Sequence, residues 1–511
     1  MIKLYRSITA LSVTLLLLTK LTATAQAPVY NVKKYGAKGD GKALDTKAID
    51  KAIDAAAAAG GGTVWFPAGD YLSVTIHLKS NISLYIDQGA TIVAATPGEG
   101  VQYDFPEKAD NDLYQDYGHS HFNNSLIVGV NLHDISIMGP GRIWGKGLIM
   151  REGTNGNNPP GLGNKTLALK LCRNVILKDF TVAHGGWFGF LLTAVDNATI
   201  DNIKMDTNRD GIDLVSSKNV HIANCSINSP VDDAIVLKSD FALNYPRDLE
   251  NVTITNCQVS GYKEGTFLDG TNVKWSNGSP TGRIKLGTES NGGFKNIAIS
   301  NCVFDNSRGL ALETVDGAAL EDITISNITM RDVGNAPIFI RLGARMRAPK
   351  DFRYSTLRRV MISNVVAYGI TGTQGAIISG IPGHDIEDIT LNNIKFYFNG
   401  GGTKQQATRE VPALIDSYPD PNRWGITPAY AFFFRNVKDI KLNNIEVNYL
   451  KEDLRPAFIL DNVDGADFQH ISVQRAEGAS IFMLNNVKNF NLFNSVQLPN
   501  MKLSDVIKKE L

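Results

Sequence analysis

A short strand–asparagine–strand unit recurs along most of this chain. Each copy alternates apolar and polar residues, then has Asn or Asp, then a second short apolar run. Period-two alternation predicts β-strands, and steps of about 22 to 32 residues, with longer insertions, predict the coils of a solenoid. An Asn at the bend can hydrogen-bond neighbouring backbone and stack on the Asn of the next coil. The copies lie at 175–182, 198–205, 220–227, 252–259, 297–304, 323–330, 360–367, 389–396 and 440–447.

The start of the chain has a different pattern. Residues 46–60 predict a helix that ends at a glycine cluster, and residues 63–71 predict a strand. A helix at the end of a solenoid covers strand edges that would otherwise stay unpaired. We therefore predict an all-β fold, a single right-handed parallel β-helix (solenoid) with an N-terminal capping helix. Residues 504–511 are expected to form a short polar tail.

Residues 1–25 predict a secretory signal peptide. Lys3 and Arg6 precede an apolar run at 8–18, and Ala23-Thr24-Ala25 offers the small residues of a cleavage site. The apolar run is shorter than a membrane-spanning helix requires. We therefore expect a signal peptide at 1–25, one β-helix domain at 26–511, and an exported protein, periplasmic or secreted, with no membrane association after cleavage.

Charge and cysteine content narrow the classes of partner. The chain has 51 basic and 51 acidic residues and a formal net charge of zero, so it lacks the basic excess that nucleic-acid binding requires. Cys225, Cys257 and Cys302 each follow the Asn of a repeat. This position favours buried thiols stacked along a core, with disulfides as the alternative in an exported chain. The cysteine spacing has no metal signature, and we expect no metal, no cofactor and a monomer.

Two aspartates hold the same place in consecutive repeats. Asp210 follows Asn202 by eight residues, and Asp232 follows Asn224 by eight. We expect Asp210 and Asp232 to stack on adjacent coils, about 4.8 Å apart, with Asp233 beside them. Like charges so close destabilise a fold, which favours a functional site over ordinary turn residues. Hydrolysis of a glycosidic bond requires two such carboxyl groups, one acid and one base or nucleophile.

Two motifs contain these aspartates. Residues 208–213 read Asn-Arg-Asp-Gly-Ile-Asp, and residues 232–239 read Asp-Asp-Ala-Ile-Val-Leu-Lys-Ser. They resemble the Asn-Thr-Asp-Gly-Ile-Asp and Asp-Asp-(Cys/Ala)-Ile-x-x-Lys-Ser motifs of the polygalacturonases in glycoside hydrolase family 28. The start of the chain also resembles pectin-active β-helix enzymes, so the resemblance covers roughly residues 29 to 335.

The resemblance implies roles for the residues of both motifs. Asp232 would be the general acid, Asp210 and Asp233 would hold and activate the water, and the anomeric carbon would be inverted. Coil stacking alone suggests the shorter carboxylate spacing that is typical of retention. Asn208 and Lys238 would contact the substrate, whereas Asp213 is expected to brace the turn.

Two further family motifs are altered. Residues 281–289, Thr-Gly-Arg-Ile-Lys-Leu-Gly-Thr-Glu, best match the Gly-His-Gly segment, with Gly282 in place of the histidine. An alternative alignment uses Glu264, which is in phase with the aspartates. Where the family has the Arg-Ile-Lys motif that binds the substrate carboxylate, this chain has Ala311-Leu312-Glu313. Glu313 would repel a galacturonate unless another cation intervenes. The candidate cations are Arg283, Lys285, Arg341, Arg345 and Arg347.

Other side chains are candidates for sugar contacts. Glu289 and Glu313 could hydrogen-bond the hydroxyls of a neutral sugar. Trp187, Trp275 and Trp424 could stack on sugar rings, but tryptophans at such positions more often pack in the core. The predicted substrate-binding residues are Asn208, Lys238, Arg283, Lys285, Glu289, Glu313 and Arg341. His184 is expected to be a structural histidine rather than a substrate contact.

The leading functional hypothesis is an exported, polygalacturonase-like glycosidase that acts on pectic polysaccharide or its oligosaccharides. Insertions near 240–281, 340–358 and 418–424 would close one end of the cleft and favour an exo mode. The altered motifs keep a rhamnogalacturonan-acting hydrolase of the same family as an alternative. Two further hypotheses are a pectate-type lyase with Ca²⁺ on the three aspartates and a carbohydrate-binding β-helix without catalysis.

Overall fold

The chain forms a right-handed parallel β-helix, as predicted. The computed structural model describes residues 28–150 and 161–511, so the predicted signal peptide at 1–25 lies outside the described residues. Each coil contributes strands to three parallel ladders, which we name faces 1, 2 and 3. Inward-pointing apolar residues of all three faces form one continuous core. Among the described residues, no helix has both the length and the apolar character needed to cross a membrane.

Face 1 contains the first strand of each repeat unit. In the later coils its strands continue round the bend without a break into face 2. The strands of face 1 are Val29–Asn31, Gly62–Phe66, Ile82–Ile86, His133–Met138, Arg173–Lys178, Asp196–Asp201, Lys218–Ala223, Leu249–Thr255, Phe294–Asp305, Ala319–Arg331, Thr356–Ile370, Ile386–Gly400, Phe432–Lys451, Phe458–Val473 and Phe482–Phe493.

Face 2 contains the second, shorter strand of each unit, and face 3 follows it after a turn. The separate strands of face 2 are Asp40–Leu44, Gly69–Ser73, Ala90–Ala94, Arg142–Trp144, Thr181–Ala183, Lys204–Asp206, Ser226–Asn228 and Gln258–Ser260. Those of face 3 are Ile76–His77, Ser125–Val130, Lys165–Lys170, Phe188–Thr193, Asp210–Val215, Ile235–Ser239, Ile284–Ser290, Leu310–Thr314, Ile338–Leu342 and Ala376–Ser379, and the ladder then continues into Phe432–Lys451.

The predicted asparagine ladder lies at the bend between faces 1 and 2. Asn327 has a φ of 57°, and its side-chain amide donates to Oδ1 of Asn301 at 2.9 Å. Asn364 donates in turn to Asn327, and Asn393 to Asn364. Asn tolerates this left-handed conformation better than most residues do, which explains its recurrence. The four cysteines are buried and unpaired, so the buried-thiol interpretation is confirmed.

The two ends of the solenoid are covered differently. The predicted capping helix is Thr46–Ala58, and it buries Ile49 and Ile53 against the first coil. The predicted strand 63–71 is in fact two strands, because the chain turns from face 1 to face 2 at Pro67. The polar tail at 504–511, whose order the sequence left open, belongs to the strand Met501–Glu510, which runs antiparallel to Phe482–Phe493. The short helices within residues 28–150 and 161–511 are Val32–Tyr35, Asp112–Tyr114, Tyr117–His119, Lys404–Ala407 and Pro421–Trp424.

Three long insertions surround the middle of face 3. The N-terminal insertion (residues 96–124) lies against the carboxyl ends of its strands, where Asn111 donates to the carbonyl of Phe241 at 2.6 Å. The middle insertion (residues 261–281) precedes the strand Ile284–Ser290. The C-terminal insertion (residues 401–431) is fixed to the later coils by an ion pair between Arg308 and Asp420 at 3.1 Å. Together they enclose the coils that carry the two aspartate motifs.

Candidate active site

The three predicted aspartates meet at the start of two neighbouring strands of face 3. Asp210 begins the strand Asp210–Val215, and Asp232 and Asp233 directly precede the strand Ile235–Ser239. One oxygen from each carboxylate lies within 4.8 Å of the others. The structure therefore brings the three side chains into one cluster.

The register within this cluster differs from the prediction by one residue. On face 2 Asp206 pairs with Asn228, but on face 3 Ile212 pairs with Ile235, so the step between these two coils is one residue longer on face 3. Asp210 therefore faces Asp233, and the prediction that it stacks on Asp232 was wrong. The additional residue lies in the turn before Ile235. Its consequence is that Asp232 stands outside the ladder, with 28% of its side chain exposed, whereas Asp210 and Asp233 are buried.

Asp233 is tied to two buried cations. Nε of Arg283 donates to one carboxylate oxygen at 2.8 Å, and Nζ of Lys285 donates to the other at 3.0 Å. Burial alone would raise the pKa of Asp233, but Lys285 and Arg283 outweigh it and hold this pKa well below the usual range. Asp233 is thus an ionised carboxylate whose two oxygens have fixed partners.

The position of these cations resolves the ambiguous alignment. The strand Ile284–Ser290 follows Ile235–Ser239 on face 3, so residues 281–289 occupy the next coil, and Glu264 instead belongs to the middle insertion. Lys285 pairs in register with Ala311, the small residue at the place of the family arginine. Lys285 and Arg283 also lie 3.8 and 3.7 Å from the carboxylate of Glu313. Two cations thus lie one coil before the altered Arg-Ile-Lys motif.

Glu264 and His184 form a pair outside the aspartate cluster. Nδ1 of His184 lies 2.8 Å from Glu264, and Nε2 lies 3.2 Å from the carbonyl oxygen of Leu148. His184 therefore links the middle insertion to the coil that precedes the aspartates. These contacts support the structural interpretation of His184.

A buried histidine that the repeat pattern did not predict lies behind Asp210. Nε2 of His119 is 3.1 Å from Asp213 and 3.0 Å from Nζ of Lys238, and Lys238 is 3.1 Å from Asp213. Burial, then Asp213 and Asp232, raise the pKa of Asp210 well above its usual range. Asp213 thus braces the site through Lys238 and His119. His119 belongs to the N-terminal insertion, where the repeat phase gives no information.

Arg209 is a second residue that sequence reasoning missed. Its Nη2 donates to Oδ2 of Asp232, and its guanidinium lies over the ring of Trp187 at 5.8 Å from the ring centroid. Burial and then Asp233 raise the pKa of Asp232, whereas Arg209 lowers it, and the net shift is upward. The available signal was Arg209 itself, which stands where the family motif has threonine. The neighbouring Asn208 is half-buried, and its carbonyl accepts from the amide of Val231.

The remaining predicted residues divide into two groups. Glu289 pairs with Arg347 and lies 3.7 Å from Lys238, so it belongs to the network of the cluster. Arg341 does not join it, because its guanidinium donates to main-chain carbonyls, including Ala413 at 2.9 Å and Leu414 at 2.8 Å. Arg341 thereby anchors the C-terminal insertion, and its predicted contact with substrate has no support from these bonds.

Aromatic side chains occupy both core and rim positions. Trp424 is 1% exposed and packs with Phe339 and Phe433, so it belongs to the core. Trp187 is 8% exposed, and Trp275 donates to a carbonyl within the middle insertion. Tyr418, in contrast, is 41% exposed, and its ring centroid lies 5.9 Å from Nζ of Lys285. Tyr418 is therefore the aromatic side chain at the rim of the aspartate cluster that is most open to a ligand.

Comparison with known proteins decides the family. The family model described as Glycosyl hydrolases family 28 matches residues 66–415, which is more than half of the chain. The chain belongs to this family. It is a glycosidase and is polygalacturonase-like, as predicted. The match includes every predicted site residue, from Asn208 to Arg341.

Individual relatives of this family 28 protein are distant. A "Probable polygalacturonase" from Vitis vinifera is 22% identical over 361 residues, which are 66% of this chain and 67% of that protein. An exopolygalacturonase from Thermotoga maritima has 19% identity and a TM-score of 0.57, with 95% of this chain and 96% of that chain covered. A family 28 exopolygalacturonase from Yersinia enterocolitica has 19% identity and a TM-score of 0.63, with 88% and 80% covered. At these identities the two solved structures establish the shared fold.

Proposed function

We propose that this family 28 glycosidase hydrolyses glycosidic bonds of galacturonic acid in pectic chains or their oligosaccharides. The observation that carries the proposal is the unequal environment of three clustered aspartates. Asp233 is held ionised by Arg283 and Lys285, whereas the pKa values of Asp232 and Asp210 are raised, primarily by burial. Carboxyl groups whose pKa values are pushed apart suit the paired acid and base roles of glycosidases.

Asp232 is the general acid in this proposal. It is the aspartate that stands outside the ladder and is partly exposed, so it can reach the glycosidic oxygen. Burial and Asp233 raise its pKa against the pull of Arg209, which favours a role as proton donor. The proton passes to the glycosidic oxygen as the bond to the anomeric carbon breaks.

Asp210 and Asp233 hold the attacking water. Asp233 orients it, because both of its oxygens are already bound to cations and its pKa is low. Asp210 faces Asp233 across the ladder, so in its ionised form it lies where it can accept the proton from the water. Inversion follows from the family resemblance, while the carboxylate spacing of 4.8 Å or less between the closest oxygens is shorter than inverting enzymes usually have.

The substrate class and the exo mode draw on separate observations. The three compared relatives are described as polygalacturonases, and two of them as exopolygalacturonases. Arg283 and Lys285 place positive charge beside the cluster in spite of the lost Arg-Ile-Lys motif. The C-terminal insertion lies across the later coils of face 3, which favours removal of terminal sugars. The predicted signal peptide at 1–25 adds export to the proposal.

The test is a product screen with Asp232→Asn. Homogalacturonan, rhamnogalacturonan and their oligosaccharides are incubated with the parent and the variant, and new reducing ends are measured. We expect the variant to lose on the order of 10²-fold or more in kcat. The control is Asp322→Asn, which alters an exposed aspartate that pairs with Arg359 on face 1. Full activity of Asp232→Asn would remove the assignment.

The same assay separates the competing chemistries. Proton NMR of the first products reports α or β at the new anomeric centre, and inversion is expected. Retained hydrolysis in a chelator, without unsaturated products, excludes a calcium-dependent lyase. Cleavage of rhamnogalacturonan but not homogalacturonan would reassign the sugar and leave the roles of the aspartates intact. Mass spectrometry of the exported protein checks the loss of residues 1–25.

A further inference from the structure

Each cation around the aspartates is paired with a carboxylate, but these carboxylates behave differently during catalysis. Arg283 and Lys285 are paired with Asp233, which stays ionised. The other cations of the cluster are also matched, Lys238 with Asp213, Arg345 with Asp316 and Arg347 with Glu289. Arg209 is paired with Asp232, the group that has to be neutral in order to donate a proton. Arg209 is thus the cation whose counter-ion is lost when the acid becomes competent.

A cation without a counter-ion is costly in this place. The Arg209 side chain is only 19% exposed, and its Nε is buried without a hydrogen-bond acceptor among the described residues. Removing a charge from water without a partner is strongly unfavourable. Protonation of Asp232 is therefore favoured when another anion takes its place beside Arg209.

We propose that Arg209 binds the carboxylate of the substrate's uronic acid, and that this contact releases Asp232 to take up the proton that it later donates. The inference rests on the proposed function, in which Asp232 is the general acid. A guanidinium presents a planar fork that matches a carboxylate. Trp187 supports the guanidinium from below, at 5.8 Å. The partly exposed Asp232 shows that the Arg209 fork faces the accessible side of the cluster.

The charge balance of this exchange closes. The substrate carboxylate adds one negative charge, and Asp232 takes one proton from solvent, so the net charge of the site is unchanged. The charges of Asp233, Lys285 and Lys238 also act on Asp232, and they persist because Lys285 is paired with Asp233 and Lys238 with Asp213. The charged groups around Arg209 besides Asp232 are Asp210, Asp116 and Asp213. A neutral sugar leaves Arg209 on Asp232, where it continues to favour the ionised form of the acid.

The experiment compares two substrates that differ only in charge. One is a galacturonic acid oligosaccharide, and the other is the same oligosaccharide with its carboxyl groups reduced to alcohols. We expect Arg209→Met to lower kcat/KM for the charged substrate on the order of 10²-fold, as expected for a buried charge pair. For the reduced substrate we expect kcat/KM not to fall and to extend to higher pH, because Asp232 loses the cation that favours its ionised form. Arg209→Lys keeps the charge but not the planar fork, so its kcat/KM for the charged substrate should lie between those of the parent and Arg209→Met. The matched control is Arg247→Met, an arginine of equal exposure (19%) paired with Asp196 away from the cluster.

The pH profiles supply a readout that simple damage to the fold would not move. The profile of kcat/KM reports the free enzyme and that of kcat the complex. On the alkaline limb of each profile, activity falls as pH rises and Asp232 loses its proton. For the parent and the charged substrate, this limb should lie at higher pH for kcat than for kcat/KM, because Arg209 has left Asp232 in the complex. On the reduced substrate the two limbs should coincide. In Arg209→Met the kcat/KM limb should move to higher pH, because removal of a cation raises the pKa of Asp232.

The outcomes separate this inference from the proposed function. If Arg209→Met loses kcat/KM equally on both substrates and its pH profiles do not shift, the proposed role of Arg209 is wrong. If Asp232→Asn is inactive but Arg209→Met keeps the preference of the parent for the charged substrate, the acid assignment stands and the Arg209 inference falls. If Asp232→Asn keeps full activity, both the proposed function and the Arg209 inference are wrong. The comparison of limbs in the parent needs no variant, so it holds even where a substitution impairs folding.

Discussion

Glu313 is a buried carboxyl group without a hydrogen-bond donor among the described residues. Both of its oxygens lack a partner, and the nearest cations, Arg283 and Lys285, lie 3.7 and 3.8 Å away and are shared with Asp233. Burial raises the pKa of Glu313 to about 7, against the pull of Lys285 and Arg283. The residue at the place of the family lysine thus has a raised pKa, so its charge depends on pH.

Glu313→Gln should remove a pH-dependent loss of stability. The folded protein binds a proton at Glu313 more tightly than the unfolded chain does, so the stability falls as pH rises from about 4.5 to about 7 and stays low above it. A shift of this size is worth at most about 3 kcal/mol. We therefore expect the variant to be the more stable protein at pH 8 and to lose this advantage at pH 4. Denaturant unfolding measures the difference in the free energy of unfolding, with Glu477→Gln, a change at an exposed glutamate, as the control. Equal unfolding curves of Glu313→Gln and the parent at pH 8 would contradict the prediction.

The residues of the site were predictable to the extent that they follow the repeat. Period and motif located Asp210, Asp232 and Asp233, because strand phase brings them to one face. The register was wrong by one residue, since the length of a turn is not periodic. His119 and the anchoring role of Arg341 were missed because both depend on insertions, whose path is set by contacts distant in sequence. Arg209 was visible as a departure from the motif, but its partner became evident only from the distances.

At the level of elements, the strand Met501–Glu510 closes the far end of the solenoid. It runs antiparallel to Phe482–Phe493 and covers an edge that could otherwise pair with another chain. Its sequence is too polar to predict a strand, because one side faces solvent and only Val506 is buried. The N-terminal helix was predictable, by contrast, since its apolar residues recur at helical spacing. A strand that contacts the protein on one side only needs few apolar residues, so its sequence predicts a strand less clearly than that of a core strand does.

Val506→Asp should disturb the end of the solenoid, whereas Ile507→Asp should have little effect, although the two residues are adjacent. Val506 is 8% exposed and pairs with Val487, whereas Ile507 is 88% exposed. A charge at 506 has no partner in the core, so the covering strand should detach and expose the edge of Phe482–Phe493. We expect Val506→Asp to self-associate on size-exclusion chromatography with light scattering. Ile507→Asp should stay within about 0.5 kcal/mol of the parent, and self-association of both variants would contradict the role of the edge.

On the scale of the whole molecule, insertions from distant parts of the described chain lie around the aspartate cluster of an otherwise regular solenoid. The β-helix supplies a straight, open face, to which a polysaccharide could bind at any position. The N-terminal insertion contributes His119, and the middle insertion joins the preceding coil through Glu264 and His184. The C-terminal insertion is fixed to the later coils by Arg341 and Arg308. The coils determine where the aspartates lie, and the insertions determine how much of a chain can lie across them.

Loosening the C-terminal insertion should change the products. Residues 415–420 include Tyr418 and Asp420, which lie beside Lys285 and Arg308. Replacement of this segment by an equally long Gly-Ser segment removes both contacts and adds no strain of loop closure, while Arg341 keeps its bonds to Ala413 and Leu414. Since a flexible segment no longer closes the later coils, we expect a shift from release of monosaccharide to release of longer oligosaccharides from homogalacturonan. Chromatography of early products measures the shift, with Tyr418→Phe as the control that keeps the insertion in place. Monosaccharide as the sole early product of the replacement variant would show that the insertion does not set the cleavage mode.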